Sequence, residues 1–352
     1  MTEHPPPPNP YYPPPTGSPY PTAAAGVDGG VDREAEQGLE YHRLYRAGRR
    51  GWGWYAGGIA TLAVFFVLIN ALVVVLGSIV VLLLTGTPAS ELGERVTALA
   101  DTGDVTPGVL LFLNVVLILT IPTTWLCTRA FHGIKPRWLA SVAPRIRWGW
   151  LAASFGPAVA SLFVAIVLGA LLPGAENEDV TGSVNAFTDT TRDFLLVIVL
   201  LTPLQAVAEE YAFRGYLTQA FGSMVRDPMK ARYLAVIGPA ALFAAAHGGQ
   251  SLPVFFDRLA FGLVAGVLVI ATGGLEAAIA YHVLNNLLAF GIALFLGDMT
   301  TALNPEEGSW WDVLVSTAKS VLFVVLTIAL ARRMGVRTRT EPGVLEASRG
   351  RV

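Results

Sequence analysis

The chain has 352 residues, of which 53% are hydrophobic and only 14% are charged, with a mean hydropathy of +0.54. A soluble protein carries roughly a quarter charged residues, so the composition excludes an ordinary water-soluble domain. The formal net charge of −2 says nothing about a partner, because the charges are segregated along the chain. We expect no nucleic-acid binding. The single cysteine, Cys127, excludes an intramolecular disulfide and makes a cysteine-based metal cluster improbable.

The first 50 residues differ in composition from the rest. Ten of the first 21 residues are proline, and the segment lacks the apolar region of a signal peptide. Such a composition gives extended chain with no core to bury. It predicts a disordered tail, with a docking site for a proline-recognition partner as the alternative. The tail ends in the basic juxtamembrane stretch "HRLYRAGRRGW".

Eight apolar segments follow, several of them long enough to cross a hydrocarbon layer, which takes about 20 apolar residues. They lie near 57–84, 107–128, 149–172, 194–212, 233–246, 255–271, 275–296 and 313–331. The fifth and sixth are short or interrupted, and we find neither strand-like alternation nor an internal repeat. The sequence therefore predicts an all-α, polytopic transmembrane bundle of about eight helices.

The distribution of Lys and Arg among the loops predicts the orientation. The loops after the second, fourth and eighth segments are rich in these cations, as is the stretch before the first. The alternate loops, 85–106, 173–193 and 297–312, hold only Arg95 and Arg192 between them. We expect an even number of crossings in the cell membrane, with both termini cytoplasmic and membrane lipid as a partner.

Two adjacent carboxylates follow the apolar part of the fourth segment, in "AEEYAFRGYL". Glu210 and Arg214 are four residues apart, which favours an ion pair on one helix face. Glu209 points about 100° away and has no partner nearby in the sequence. One carboxylate is therefore interpreted as structural and the other as free for chemistry. The alternative is a set of interfacial charges at the cytoplasmic end of the helix.

Further polar residues interrupt the apolar helices. His247 precedes the glycine break of "ALFAAAHGGQSLP", where it could face a cavity or sit in an interfacial loop. His282 and Asn286, in "AYHVLNNLLAF", share one helix face and could donate two hydrogen bonds to one point. The alternative for this pair is hydrogen bonding between membrane helices. Asn285 is a weaker candidate for the same role.

We expect these groups to converge in the cytoplasmic half of the membrane. For His247 this requires that its helix enter near Gly238-Pro239 and end at depth at Gly248-Gly249, lining a wet cavity. Two further sets of charges are interpreted as structural. Asp257 and Arg258 form a local pair, and Lys319 extends to the outer interface.

The ordered set of motifs resembles the CAAX protease and bacteriocin-processing (CPBP, or abortive-infection) family of intramembrane endopeptidases, also known as CAAX prenyl protease 2. Glu209-Glu210-x-x-x-Arg214 matches its paired-glutamate motif, and Phe243-x-x-x-His247 matches the second. The third motif is matched by six residues: Phe261, Gly266, Thr272, Gly273, His282 and Asn286.

The resemblance implies hydrolysis of a peptide bond inside the membrane. It implies three roles, namely water activation by Glu209 and His247, support of the site by Glu210 and Arg214, and oxyanion stabilisation by His282 and Asn286. It also suggests a division into a tail (1–50), N-terminal helices (51–172), a protease core (194–296), and a last helix with a basic tail (297–352).

Metal dependence is open at the level of sequence. No serine or cysteine nucleophile belongs to the set, which favours activated water, and a poorly solvated carboxylate is a suitable base. Glu209, His247 and His282 are also a common catalytic zinc set, although the H-E-x-x-H signature is absent. The cofactor is thus either none or zinc, and we favour direct activation of water by Glu209 and His247.

A non-catalytic membrane protein is the competing hypothesis. A scaffold or small-solute transporter could use the same polar groups for packing or binding. A transporter predicts inverted repeats with matching broken helices, and an inactive relative predicts loss of a motif residue; the sequence has neither feature. We therefore favour the enzyme, acting on a peptide or membrane protein. The sequence identifies neither its substrate nor its oligomeric state.

Overall fold

The structure is a computed structural model that describes residues 38–171, 183–305 and 308–343. The proline-rich stretch lies outside the described residues. Within these ranges the chain forms eight long helices and no β-strand, so the all-α prediction is confirmed. The helices are α1 Trp52–Leu84, α2 Pro107–His132, α3 Trp148–Leu171, α4 Asp189–Met224, α5 Pro228–Ala245, α6 Leu252–Thr272, α7 Glu276–Leu296 and α8 Trp310–Arg333.

All of these helices except α5 are long and apolar enough to cross a membrane. Lys230 and Arg232 near the start of α5 lower its hydropathy. Large apolar side chains are exposed along the outer faces of the bundle, including Leu72 on α1 and Phe163 on α3. Soluble proteins do not expose apolar faces of this extent, because water disfavours them. The chain is therefore a multi-pass membrane protein.

The helices that carry the site pack closely around one another. α5 packs on α6, α6 on α8, and α7 on both α3 and α4. Gly262 of α6 makes the α5 contact possible, since a Cβ added there would lie 2.9 Å from the Cβ of Ala240. Small residues at such contacts let membrane helices approach each other.

α4 is irregular where the chemistry was predicted. It is interrupted at Leu201 (φ −108°), two residues before Pro203, which lacks a backbone N–H. Further along, Glu210–Leu217 form a π-helical segment. Such segments are rare and frequently coincide with functional sites. Glu209 is the last residue before it and Glu210 is its first.

The chain segments before α1 and after α8 are joined in an assembly that we call the terminal clasp. The backbone N–H of Leu39 donates to Thr340 Oγ1 at 2.9 Å, and the N–H of Thr340 donates to the Leu39 carbonyl at 3.0 Å. Glu40 forms ion pairs with Arg232 (2.9 Å) and Arg339 (2.7 Å). Leu39 and Glu40 belong to the segment predicted as a disordered tail, yet both are fixed against the bundle.

A short 3₁₀ helix, Tyr41–Ala47, continues the clasp. Its Arg43 is buried and donates to the carbonyls of Gly222, Val225 and Arg226. The last carbonyls of a helix lack partners within the helix, so the guanidinium caps the end of α4.

A buried ion pair fixes the start of α7. Arg147 reaches Glu276 with Nε to Oε1 at 2.8 Å and Nη2 to Oε2 at 2.7 Å, and the carboxylate is fully buried. Two parallel bonds of this kind add geometric precision to charge attraction. Arg147, a cation of the loop between α2 and α3, thus orients the helix that carries His282.

Candidate active site

The predicted site residues converge on one cavity of about 320 Å³. Glu209 reaches it from α4, His247 from the end of α5, and His282 and Asn286 from α7. Glu210 and Arg214 lie behind the cavity wall and are fully buried. The structure therefore brings together the six predicted site residues, whereas Gly266, Thr272 and Gly273 of the third motif do not line the cavity.

Glu210 connects two helices through one carboxylate oxygen. Its Oε1 accepts from Arg214 Nη1 at 2.9 Å, so the predicted i,i+4 ion pair is confirmed. The same oxygen lies 2.8 Å from His282 Nδ1. A carboxylate paired with arginine is an acceptor, so His282 Nδ1 carries the proton and donates. In the neutral imidazole, Nε2 is consequently left as an acceptor.

Glu209 faces that second nitrogen. Its Oε2 lies 3.4 Å from His282 Nε2, and its side chain is 9% exposed. The two glutamates, adjacent in the chain, thus contact opposite nitrogens of one imidazole. Glu209 lines the cavity and Glu210 does not.

Two aromatic rings help to hold the buried guanidinium of Arg214. The Arg214 Cζ lies 4.2 Å from the ring centre of Phe243 and 5.4 Å from that of Phe261. A cation over an aromatic face is attracted by the ring quadrupole, and more strongly where water is excluded. Phe243 and Phe261 belong to the second and third motifs, and they link these motifs physically to the first.

His247 presents one nitrogen to the cavity. Its Nδ1 lies 2.8 Å from the carbonyl of Phe243, which can only accept, so Nδ1 is the donor. Nε2 is then available for a ligand in the neutral ring. α5 begins at Pro228, continues through Pro239 and ends at Ala245, two residues before His247, and its entry into the membrane near Gly238-Pro239 stays a prediction. His247 reaches the cavity because Phe243, one turn earlier, packs beneath it.

The two neighbouring asparagines of α7 have different partners. Asn286 Nδ2 donates to Gln205 Oε1 at 3.2 Å, whereas Asn285 Oδ1 accepts from Lys319 Nζ at 2.8 Å. Gln205 lines the cavity and was missed in the sequence. Gln205 lies on α4 four residues before Glu209 and therefore on the same helix face. This spacing could have indicated Gln205 as a site residue from the sequence.

The structural interpretations of the other charges are wrong. Lys319 does not extend to the outer interface but lines the cavity. Arg258 forms no ion pair with Asp257 among the described residues; its Nη1 donates to Gln250 Oε1. Both errors arise because the side chains find polar partners on neighbouring segments, which sequence spacing does not reveal.

The zinc hypothesis is only partly compatible with this arrangement. The donor types are suitable, and both histidines hydrogen-bond through Nδ1 to a fixed oxygen, as metal-ligating histidines do. Within the described ranges, however, no group of three or more His, Cys, Asp or Glu side chains is placed to hold a metal ion. We therefore derive no step through a metal.

Comparison with known proteins assigns this region to a class. Residues 191–288 match the family model described as "Type II CAAX prenyl endopeptidase Rce1-like", so the resemblance seen in the motifs is confirmed. All six predicted site residues lie within the matched range. The helical bundle is therefore that of a multi-pass membrane protein, in which residues 191–288 are similar to the Rce1-like family.

The chain as a whole also has a bacterial relative. The protein from Bacillus subtilis (strain 168) named "Uncharacterized protein YyaK" is 29% identical over 230 residues, which cover 61% of this chain and 73% of that protein. No solved structure gives a significant match to the chain.

Proposed function

We propose that the chain is an intramembrane endopeptidase that hydrolyses a peptide bond with water activated by Glu209. One observation supports this most directly. Of two adjacent glutamates, one is neutralised by Arg214 behind the cavity wall, while the other lines the cavity against the acceptor nitrogen of His282. The match of this segment to an endopeptidase family supports the reaction type.

The charge distribution of the site favours Glu209 as the base. Arg214 and Glu210 cancel each other's charge behind the cavity wall, which leaves Glu209 as the carboxylate that faces the cavity. It takes a proton from a water molecule in the cavity as the oxygen attacks the substrate carbonyl.

His247 acts beside Glu209. Its Nε2 accepts a hydrogen bond from the same water and so orients it, because Nδ1 is already committed to the Phe243 carbonyl. The proton that remains on the attacking oxygen then passes to the same nitrogen, which delivers it to the leaving amine. Cleavage of an amide requires this second transfer, since an amide anion is a very poor leaving group.

His282 and Asn286 provide the donors for the oxyanion. Asn286 Nδ2 donates one of its two hydrogens to Gln205 Oε1, and the second hydrogen is available to the oxyanion. His282 Nε2 becomes a donor at the cavity when Glu209, 3.4 Å away, passes to it the proton taken from water. Each donor aimed at the tetrahedral oxyanion contributes about 3 kcal/mol to lowering the barrier.

The substrate is a peptide or a segment of a membrane protein that reaches the cavity from the lipid. We place the enzyme in the cell membrane with both termini in the cytoplasm, on the basis of the Lys and Arg distribution. Cleavage then takes place within the membrane, on the half nearer the cytoplasm.

A comparison of membrane proteomes tests the proposal. Cells expressing the wild-type chain should contain new peptide termini that are absent from cells expressing Glu209→Ala. Glu91→Ala is the matched control, because this exposed carboxylate lies far from the cavity and its loss should leave those termini in place. Identical termini in all three strains would contradict the proposal.

A further inference from the structure

A second cavity, which we call the clasp groove, lies between the terminal clasp and the helices α5 and α6. Its volume is about 350 Å³. Glu40 lines it from the clasp, Arg232 and Val236 from α5, and Val267 and Ile270 from α6. None of these residues lines the cavity that contains Glu209, so the clasp groove is a separate candidate site.

The polar end of the clasp groove carries an excess of positive charge. Two arginines share the single carboxylate of Glu40: Arg232 Nη2 lies 2.9 Å and Arg339 Nη2 lies 2.7 Å from the same oxygen, Oε1. One carboxylate offsets one of the two guanidinium charges. Both arginine side chains are more than 40% exposed, so the remaining charge is open to a ligand.

The acids that lie closest to these arginines along the chain do not remove the excess. Glu341 pairs with Arg337 at 2.6 Å. Asp227 caps the start of α5, where Lys230 of the same helical turn matches its charge. Within the described part of the chain, the surroundings of the clasp groove therefore retain one cation more than they have acids.

Arg232 also retains hydrogen-bond donors. Both of its bonds to Glu40 use the one nitrogen Nη2, and no acceptor among the described residues is bonded to its Nε or Nη1. A guanidinium with two adjacent nitrogens available binds a phosphate through two parallel bonds. The free donors of Arg232 thus fit an anionic group with several oxygens.

The walls of the clasp groove beyond Arg232 are apolar. Val236 lies on the same face of α5 one turn further along, about 6 Å from Arg232. α6 touches α5 at this level, since a Cβ added to Gly266 would lie 3.2 Å from Val236 Cγ1. Val267 and Ile270 of α6 complete the walls. A ligand that fits the whole groove has an anionic end and an apolar end.

The surroundings of the clasp groove are those of a membrane interface. Tyr233 and Ile237, which follow the lining residues Arg232 and Val236, are 60% and 53% exposed on the outside of α5. Tyrosine is enriched where the hydrocarbon meets the headgroups. In the proposed orientation this end of α5 lies at the cytoplasmic leaflet, which is rich in anionic lipids.

We propose that the clasp groove binds an anionic phospholipid, with its phosphate at Arg232 and an acyl chain between Val236 and Val267. A zwitterionic lipid fits less well, because its own cation adds to a charge already in excess. The bound lipid connects α5 and α6 with the terminal clasp, and a ligand of the folded state alone stabilises that state. The site does not depend on the proposed endopeptidase activity.

Lipid titrations of the full chain in a neutral detergent test the proposal. Phosphatidylglycerol and phosphatidylcholine with identical acyl chains are compared at equal mole fractions, with bound lipid measured by native mass spectrometry. We expect phosphatidylglycerol to bind about ten- to a hundredfold more tightly, as hydrogen bonds to charged groups do, and to raise the melting temperature more. Equal binding of the two lipids would overturn the proposal. Glycerol phosphate is the probe for the headgroup alone, and an equal stabilisation by it would overturn the assignment to a lipid.

Variants at the two ends of the clasp groove assign the effect. Arg232→Gln should abolish the preference for phosphatidylglycerol, and Arg232→Lys should retain most of it. Val267→Trp fills the apolar part without changing the charge and should prevent binding of the lipid. Melting temperatures without lipid show that each variant is folded.

Arg333→Gln is the matched control for charge. It removes an exposed cation at the end of α8 that does not line the clasp groove, and it should leave the preference intact. An unchanged preference in Arg232→Gln, unchanged binding in Val267→Trp, or an equal loss in Arg333→Gln would overturn the site.

Discussion

Glu210 and His282, 72 positions apart in the chain, are joined by a hydrogen bond of 2.8 Å from Nδ1 of the imidazole to Oε1 of the carboxylate. This contact ties α4 to α7 at the depth of the cavity. It also selects the tautomer of His282, because the same oxygen accepts from Arg214 and cannot donate. The acceptor nitrogen of the ring is thereby directed at Glu209, so Glu210 positions the reactive groups without facing the cavity.

Glu210→Gln should destabilise the protein. The change removes the only acid bonded to Arg214 in the described part of the chain and leaves a fully buried guanidinium without a counter-ion. Breaking a buried pair by removing one partner costs roughly 3–5 kcal/mol. We expect a lower melting temperature in detergent and lower expression, together with a loss of activity.

Removing both charges provides the control for this prediction. Glu210→Gln combined with Arg214→Met should recover part of the lost stability, because no unpaired charge remains. Glu91→Gln breaks an exposed i,i+4 pair with Arg95 and should change the melting temperature very little. If the double variant melts no higher than Glu210→Gln, the pairing is not the origin of the instability.

Glu209→Gln should abolish catalysis without unfolding the protein. The amide keeps the shape of the side chain but cannot act as a base, and the loss of general-base catalysis lowers rates by about 100- to 10,000-fold. Peptide cleavage and melting temperature should be measured on the same preparation. An active Glu209→Gln together with a stable but inactive Glu210→Gln would show that the two glutamates have the opposite roles.

Local spacing predicted some of this site correctly. The ion pair between Glu210 and Arg214 follows from the i,i+4 geometry of a helix, and the division between a paired and an unpaired glutamate follows from their 100° separation. The bond from His282 to Glu210 could not be predicted in this way. It depends on how α7 packs against α4, which periodicity leaves undetermined.

The sequence predictions were wrong for residues whose hydrogen-bond partner lies on a different segment of the chain. Lys319 was assigned to the interface by a general rule for long cations, yet Asn285 on α7 supplies an acceptor beside the cavity. The joining of Leu39 to Thr340, 301 positions apart, likewise left no local signal. The apolar segments themselves were predictable, because lipid exposure requires long apolar stretches whatever their partners are.

Chelation should leave the enzyme active. Our mechanism uses Glu209 and His247 directly, so purified protein that cleaves a reporter peptide should retain most of its activity in a strong chelator. Metal content should be measured in parallel. Stoichiometric zinc, with inactivation by the chelator that added zinc reverses, would instead make Glu209, His247 and His282 ligands.

Reporter fusions should show which face of the membrane each loop occupies. A reporter active only outside the cytoplasm should be active when fused within 300–308 and silent when fused at 140. The reason is the abundance of Lys and Arg in the second of these loops and their absence from the first. The opposite result would invert the orientation and place the active site in the outer half of the membrane.

Acidification should weaken the terminal clasp through His42. The imidazole is fully buried, and both of its nitrogens lack a hydrogen-bond partner among the described residues. Burial, reinforced by the charge of Arg43, lowers the pKa of His42 from 6.5 to about 4, although Glu40, 3.8 Å away, opposes the shift. Between these two values the unfolded chain binds a proton that the folded chain does not, so stability falls as the pH falls from about 6.5 to about 4. At pH 5 the loss is roughly 2 kcal/mol.

His42→Phe, which cannot titrate, should therefore lose less melting temperature between pH 7 and pH 5 than the wild type does. Glu40→Gln serves as the comparison, because the pKa of Glu40 lies below its ordinary value and its carboxylate stays ionised over this window. This variant should be less stable at both pH values and keep at least the pH dependence of the wild type, because loss of Glu40 lowers the pKa of His42 further. If His42→Phe loses as much melting temperature as the wild type, the acid sensitivity originates elsewhere in the chain.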